Sequence, residues 1–178
     1  MVFLQSIAPG IAFPLSCLFT MSMECGLLPA VWKVGYVCPI FKKGSRQLPC
    51  NYRPVSMTSI CCKVMESIVS ESMVHFLRVQ GLISKDQYGF LAKRSTCTQL
   101  LVTFNEISFL ANAKMQVDAV YIDFAKTFDS VSHNKLLLKV ESYGFHSHLL
   151  AWIKSFLSNR SQCVCIGTSL STPLPVTS

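Results

Sequence analysis

Charged side chains are scarce in this sequence, and their scarcity excludes several classes of protein. Only 14% of the 178 residues are Asp, Glu, Lys or Arg, against 51% apolar residues. Intrinsically disordered chains and coiled coils are much richer in charge. The mean hydropathy of +0.42 indicates either a membrane segment or a fragment whose apolar faces pack on other parts of a protein. The length fits one domain or a piece of a larger one.

Zinc-finger spacing is also lacking, although cysteine itself is abundant. The nine cysteines are an odd number, and no two of them form a C-x-x-C pair. The four histidines do not stand at zinc-ligand spacing from the cysteines. We therefore expect reduced thiols in an intracellular protein, cytoplasmic or nuclear, that is not secreted.

The first 23 residues contain no charged side chain, so a signal peptide or a membrane-spanning helix has to be considered. No basic residue precedes this apolar run, and Pro9 and Pro14 interrupt it. A core helix from about Ile11 to Cys25, ended by Gly26, explains the pattern as well. We expect no membrane insertion, with a membrane or secreted protein as the alternative.

Acidic residues are absent from the stretch between Glu24 and Glu66, which gives the chain a local excess of positive charge. The net charge of the chain is +7. Such a stretch attracts phosphate from nucleic acid, nucleotides or anionic lipid, but it also fits an ordinary solvated face. Its six basic residues are Lys33, Lys42, Lys43, Arg46, Arg53 and Lys63.

The hydrophobic periodicity predicts helices that alternate with separated strands, an order that indicates an α+β fold. Loops are expected from Pro49 to Pro54 and from Ser84 to Arg94. The predicted strands are Val34 to Phe41 and Gln162 to Ile166. The predicted helices are Ser59 to Gly81, Ser95 to Ala113, Ser132 to Gly144 and Ser147 to Asn159, the last two capped by their serines.

The segment Val117 to Phe124 (VDAVYIDF) has the short, nearly continuous apolar pattern of a strand covered on both faces. Asp123 lies in it, and a buried ionised carboxylate is costly unless it is paired or binds a cation. With an aromatic residue, Phe128, five positions later, the segment fits a Mg²⁺ site at which a nucleotide sugar stacks. The alternative is a surface aspartate in a turn.

Five blocks along the chain resemble, in order, the reverse transcriptase domain of non-LTR (LINE-type, jockey-like) retrotransposons. The blocks cover nearly the whole sequence, and their order makes the resemblance specific. They are Pro29-x-x-Trp32-Lys33 with Val37 to Gly44, Asn51 to Ser59 (NYRPVSMTS), Gln87-x-Gly89-Phe90 with Arg94-Ser95-Thr96, Asp123 to His133 (DFAKTFDSVSH), and Gly144-Phe145 with Trp152 to Arg160.

The resemblance implies the fingers and the first part of the palm of a right-hand polymerase. Residues 1–116 would be mainly fingers, and residues 117–178 a partial palm with the first catalytic motif. Asp123 would be the catalytic carboxylate that holds two Mg²⁺ ions, and the backbone carbonyl of Phe124 would contact one of them. Phe128 would lie under the sugar of the incoming nucleotide and favour dNTPs, whereas the alternative for this residue is a core aromatic.

The same resemblance implies a triphosphate site and nucleic-acid partners. Arg53 would grip the triphosphate of the dNTP, helped by Lys42 or Lys43. The partners would be an RNA template and a DNA primer, with no membrane and an oligomeric state that stays open. Gln87, Arg94 and Arg160 would either touch the template or primer backbone or be solvated. Asp129 would form a salt bridge or a turn hydrogen bond.

The chain departs from the family pattern at several points. Thr127 stands where the family usually has alanine, and Leu91-Ala92-Lys93 replaces a basic Arg-x-Gly run. The later Y-x-D-D hairpin, which supplies further metal-binding carboxylates in the family, does not occur. We therefore expect a truncated RNA-directed DNA polymerase that is inactive as this chain. The alternative is a non-catalytic nucleic-acid-binding remnant of a decayed element.

Overall fold

The described part of the chain has a mixed α/β architecture of helices and a sheet. A computed structural model describes residues 2–124, 127–128 and 130–176, with side chains from residue 6 onward. The described helices are α1 (Val2–Cys25), α2 (Ile60–Val79), α3 (Thr96–Asn112), α4 (His133–Ser142) and α5 (Ser147–Leu157), with 3-10 turns at Ala30–Trp32 and Pro49–Asn51. The described strands are β1 (Val34–Phe41), β2 (Tyr52–Met57), β3 (Ser161–Ile166), β4 (Ser169–Leu170) and β5 (Leu174–Pro175).

The five described strands form one mixed sheet with the order β2-β1-β3-β4, and β5 also pairs with β3. β1 and β2 are antiparallel neighbours that form a hairpin. β1 and β3 are parallel, with Tyr36 opposite Cys163. The long connection between these parallel strands contains α2 to α5, as a parallel pair requires a crossover.

The chain divides into two compact units, which are described separately below. Unit 1 comprises residues 1–73 and 128–178, and unit 2 comprises residues 74–127. The buried cluster of unit 1 consists of Leu28, Trp32, Cys62, Met65 and Trp152. Phe19 and Met23 of α1 pack against this cluster, so burial of apolar surface holds α1, α2 and α5 together.

Polar contacts fix the same helices in unit 1. The indole Nε1 of Trp152 donates a hydrogen bond of 3.0 Å to the hydroxyl of Ser22, which is itself buried. The hydroxyl of Ser22 donates in turn to the carbonyl of Leu27. The backbone N–H of Leu28 donates to the hydroxyl of Ser155 over 3.0 Å. The buried polar groups of this core are thus paired, which avoids the cost of leaving them unsatisfied.

Most of the predicted elements are confirmed within a few residues. β1 has the predicted bounds, and β3 begins one residue before the predicted start. The predicted loop from Pro49 to Pro54 is wrong in part, because Tyr52–Met57 is a strand. Pro54 is tolerated there because β2 lies at the edge of the sheet, where the missing N–H of proline costs no ladder bond to a further strand.

The first helix is longer than expected. α1 begins at Val2 instead of Ile11, and both Pro9 and Pro14 lie inside it. In the described part of the chain, Ser6–Cys25 is one stretch long and apolar enough to cross a membrane, and most of it is exposed. Apolar core helices and signal sequences have the same length and composition.

The prediction of a strand at Val117 to Phe124 is wrong for this structure. These residues have no regular secondary structure, and Val120 and Tyr121 are 83% and 91% exposed. A strand requires a neighbour that accepts and donates backbone hydrogen bonds, and the pairings of the described strands involve only β1 to β5. An apolar sequence pattern alone cannot supply that neighbour.

Two helix N-termini differ in their capping from the prediction. Ser132 occupies the N-cap of α4, but its side chain makes no capping hydrogen bond. His146, not Ser147, is the N-cap of α5, and Ser147 has a left-handed backbone with φ of 56°. By contrast, Ser95 caps α3 through a reciprocal capping box with Thr98.

Candidate nucleotide and nucleic-acid interface

The basic residues that the sequence singled out lie in the β1–β2 hairpin of unit 1. In its register, Phe41 faces Tyr52 and Ile40 faces Arg53. The backbone N–H of Lys42 donates to the carbonyl of Asn51 over 2.8 Å. This bond extends the ladder by one pair and holds the base of the connecting loop closed.

The loop between the two strands is fixed by local contacts. The side-chain amide of Asn51 donates to the carbonyl of Ser45 over 2.8 Å. Gly44 has φ of +87°, and a Cβ built there would lie 2.7 Å from Nδ2 of Asn51. Only glycine fits this position without moving the asparagine.

Aromatic contacts fix the two ends of the same loop. The rings of Phe41 and Tyr52 meet edge to face with centroids 5.5 Å apart. The hydroxyl of Tyr52 donates to the carbonyl of Arg46 over 2.9 Å, and the guanidinium of Arg46 lies 5.1 Å from the Phe41 ring centroid. Arg46 therefore makes a cation–π contact within the hairpin itself.

The structure brings Lys42, Lys43 and Arg53 together on one hairpin, with all three side chains exposed. Side chains alternate between the faces of a strand. Arg53 therefore lies on the face opposite that of Tyr52 and its aromatic contacts, while the two lysines lie at the turn. The hairpin thus presents positive charge on a shape held by hydrogen bonds, a combination suited to a phosphate ligand.

Asp123 and Phe124 lie in unit 2, and both are exposed. The hydroxyl of Thr127 donates to the backbone carbonyl of Phe124 over 2.9 Å. This is the carbonyl that the resemblance assigns to a metal ion, and Thr127 is the residue that departs from the family pattern. Asp129 lies outside the described residues.

The described residues do not form a complete magnesium site. Among them, no group of three or more His, Cys, Asp and Glu side chains lies close enough to hold a metal ion. Two Mg²⁺ ions require several anionic oxygen ligands. Asp123 and the Phe124 carbonyl therefore do not suffice to hold the two ions.

Phe128 lies in unit 1 and is 76% exposed. The alternative role of a core aromatic is therefore wrong for this structure, because a core ring would be withdrawn from solvent. The predicted contact with a nucleotide sugar stays a prediction.

The remaining basic candidates have structural contacts of different kinds. The guanidinium of Arg160 donates to the carbonyl of Phe156 over 3.1 Å and lies 4.7 Å from the centroid of the Phe156 ring. Both contacts stabilise the C-terminal end of α5. Gln87 donates weakly, over 3.4 Å, to the carbonyl of Gly89. Arg94 lines a basic cavity in unit 2. Three further cations line the same cavity, and the sequence did not single them out as site residues: Arg78, Lys85 and Lys93.

Comparison with known proteins identifies the family of this chain. Residues 40–175 match the family described as reverse transcriptase (RNA-dependent DNA polymerase). This match covers most of the chain, so the chain belongs to the reverse transcriptase family.

Two of the relatives are proteins of mobile elements. The chain is 29% identical over 164 residues to the RNA-directed DNA polymerase from mobile element jockey of Drosophila melanogaster, covering 91% of this chain and 18% of the relative. It is 27% identical over 159 residues to the probable RNA-directed DNA polymerase from transposon X-element of the same organism, covering 89% of this chain and 17% of the relative. The chain is thus a reverse transcriptase domain homologous to those of non-LTR retrotransposons, and it spans less than a fifth of the length of these relatives.

Proposed function

We propose that this chain forms the fingers and the first part of the palm of an RNA-directed DNA polymerase from a non-LTR retrotransposon. The match of residues 40–175 to the reverse transcriptase family is the observation that carries the proposal. We assign residues 1–116 mainly to the fingers and residues 117–178 to a partial palm. The expected partners are an RNA template, a DNA primer and a dNTP, in the cytoplasm or the nucleus.

The β1–β2 hairpin is the proposed triphosphate site. Arg53 offers a planar guanidinium that binds phosphate oxygens in pairs, and Lys42 or Lys43 adds a point charge. The exposure of all three side chains and the fixed shape of the loop support this assignment. A preformed loop loses little conformational entropy when it binds a ligand.

Asp123 is the proposed catalytic carboxylate, and it contributes one anionic ligand to a divalent ion. The other ligands would come from outside the described residues. When bound, two Mg²⁺ ions would stabilise the attacking oxygen and the leaving pyrophosphate. The carbonyl of Phe124 would be a further ligand, and the exposed ring of Phe128 would contact the sugar.

A non-catalytic nucleic-acid-binding remnant is the second candidate. The hydrogen bond from Thr127 to the carbonyl of Phe124 favours it, because this bond occupies one acceptor site of a proposed metal ligand. A remnant would retain the basic surfaces, which act on any phosphate backbone. It would have no need for a selective triphosphate site.

Binding of a fluorescent dNTP to the purified full chain, measured by fluorescence anisotropy, tests the proposal. We expect Arg53→Ala to weaken binding by about tenfold, since a hydrogen bond to a charged group contributes roughly 1.5–3 kcal/mol. Lys154→Ala is the matched control, because Lys154 is an exposed cation on α5 and is not part of the hairpin. This control is expected to bind like the unchanged chain.

The two candidate functions give different results when single-stranded RNA is tested beside the dNTP in this assay. A chain that binds single-stranded RNA but no dNTP is the remnant, and the assignment of a triphosphate site is then wrong. Equal losses in Arg53→Ala and Lys154→Ala would indicate nonspecific attraction to the net charge of the chain, and would also contradict the assignment.

A further inference from the structure

Two cysteines lie side by side on neighbouring strands of the sheet in unit 1. β1 and β3 are parallel, and Tyr36 of β1 is opposite Cys163 of β3. Two positions further along each strand, the same register brings Cys38 beside Cys165. Residues two apart in a strand point to the same face, so both cysteines lie on the face that Tyr36 and Cys163 share. They are far apart in the sequence, and only the fold brings them together.

The two thiols contact each other and remain within reach of solvent. A side-chain hydrogen bond joins Cys38 and Cys165, and the thiol of Cys165 also donates to the carbonyl of Gly167 over 3.6 Å. Both cysteines are half-buried, whereas the neighbouring Cys163 is buried. A small thiol reagent can therefore reach this pair more easily than it can reach Cys163.

The spacing of the two strands suits a disulfide bond between these cysteines. Neighbouring strands of a sheet lie about 4.8 Å apart. Disulfides join cysteines whose Cα atoms are usually about 4.4–6.8 Å apart and whose side chains point towards each other. The pair therefore needs only a small local adjustment to become bonded.

The backbone at this point of the sheet permits such an adjustment. The described ladder between β1 and β3 ends at the pair Val37 and Val164. Pro39, the residue after Cys38, is opposite Pro54 of β2. Two prolines cannot exchange N–H bonds, so the side of Pro39 that lacks a donor faces β3. The strands can therefore shift at Cys38 without breaking a ladder bond from Pro39.

We propose that Cys38 and Cys165 form a reversible intramolecular disulfide when the chain meets glutathione disulfide. The thiolate of one cysteine attacks a sulfur of glutathione disulfide, and one glutathione leaves. The thiolate of the other cysteine attacks the protein sulfur of this mixed disulfide, and the second glutathione leaves. The two cysteines are oxidised, one glutathione disulfide is reduced to two glutathiones, and the two thiol protons pass to the released thiolates.

The environment of Cys38 favours Cys165 as the first nucleophile. Desolvation raises the pKa of the Cys38 thiol, and the charge of Cys165 and the hydrogen bond with it raise this pKa further. In the mixed disulfide Cys165 carries no charge, so its electrostatic effect on Cys38 disappears. Cys38 then acts as the resolving thiol. No part of this inference uses the proposed function, because the step involves neither a nucleotide nor a metal ion.

Peptide mapping of the full chain tests the proposal. The chain is equilibrated with graded ratios of reduced and oxidised glutathione, its remaining thiols are blocked with N-ethylmaleimide, and it is digested with trypsin. Cleavage after lysine and arginine places Cys38 in the peptide of residues 34–42 and both Cys163 and Cys165 in the peptide of residues 161–178. Mass spectrometry detects the joined peptides, and their fragmentation identifies the cysteine that is bonded to Cys38.

We expect the unchanged chain to yield the bond between Cys38 and Cys165 about tenfold more often than any other cysteine pair, because contact in the fold raises the effective concentration of the two thiols. Cys38→Ser and Cys165→Ser should abolish the joined peptides. The matched control is Cys17→Ser, which changes an exposed cysteine of α1 and should leave their yield unchanged. The oxidised chain should also unfold at a urea concentration about 1 M higher than the reduced chain, because the bond closes a long loop in the unfolded state.

Three results of the peptide map would overturn the proposal. The first is that Cys38 and Cys165 carry only glutathione and are not joined to each other. The second is that the cross-links are spread evenly over the exposed cysteines. The third is that Cys38 is bonded to Cys163 instead of Cys165. All three are measured on the unchanged chain, so the decision does not depend on whether a serine variant folds.

Discussion

At the scale of single residues, Cys62 is the most enclosed side chain of the described core. It is 0% exposed, and its thiol donates to Oε1 of Glu66 over 3.0 Å. Burial, and secondarily Glu66, raises the pKa of the Cys62 thiol from 9.0 to about 12. The fold therefore keeps this thiol protonated at neutral pH.

This environment predicts a difference in thiol reactivity. Because the thiolate is the nucleophile, we expect iodoacetamide at pH 8 to leave Cys62 unmodified in the folded chain. Cys17, Cys25, Cys50 and Cys97 are exposed and should be alkylated first. Peptide mass spectrometry after timed quenching measures both groups, and labelling of Cys62 as fast as the exposed cysteines would contradict its burial.

Candidate binding residues could be recognised from the sequence where their residue type and local charge indicate a ligand. Features that depend on tertiary contacts could not be recognised in this way. Lys42, Lys43 and Arg53 stand in a stretch without acidic residues, which is visible in the sequence. The partner of the extra hydroxyl of Thr127 was not visible, because it is a backbone carbonyl brought near by the turn. The cavity that Lys93 shares with Arg78 was not visible either, because the two residues lie fifteen positions apart in the sequence.

At the scale of elements, local signals predicted four of the described helices and the strands β1 and β3 within a few residues. The serine that caps α3 is such a local signal, whereas β2 lies where a loop was predicted. Val117 to Phe124 has the composition of a strand, but pairing is a property of two segments and not of one. The apolar side chains of α3 show the same limit, because periodicity predicts a helix but not what covers it, and no described residue of α3 is buried.

The end of α1 gives a prediction about stability. Gly26 has φ of +63°, and a Cβ built on it would lie 2.7 Å from Cβ of Ala151 in α5. Gly26→Ala combines left-handed strain with overpacking, so we expect a loss of about 2–4 kcal/mol in the free energy of unfolding. Urea denaturation followed by tryptophan fluorescence measures it, since both tryptophans lie in the buried cluster of unit 1.

Gly167 provides the matched control for this substitution. It lies in unit 1 with φ of +60°, and no atom lies within 4 Å of a Cβ built there. Gly167→Ala carries the backbone strain alone and should cost about 1–2 kcal/mol. Equal losses for the two variants would show that the contact between Gly26 and α5 does not limit the size of the side chain.

At the scale of the whole molecule, the family could be identified from ordered sequence blocks, whereas the polymerase site could not be completed from them. The chain spans 17–18% of the length of the relatives compared above. The activity of a whole polymerase therefore depends on more residues than this chain contains. Asp123 is the one carboxylate that we assign to the metal ions, and a two-metal reaction requires several anionic ligands.

Primer extension by the purified chain, on an RNA template with a DNA primer, Mg²⁺ and dNTPs, tests the central claim most directly. We predict binding of the primed template without any extended product. Extension that disappears in the variant Asp123→Ala would contradict the account, because this chain would then hold a complete two-metal site.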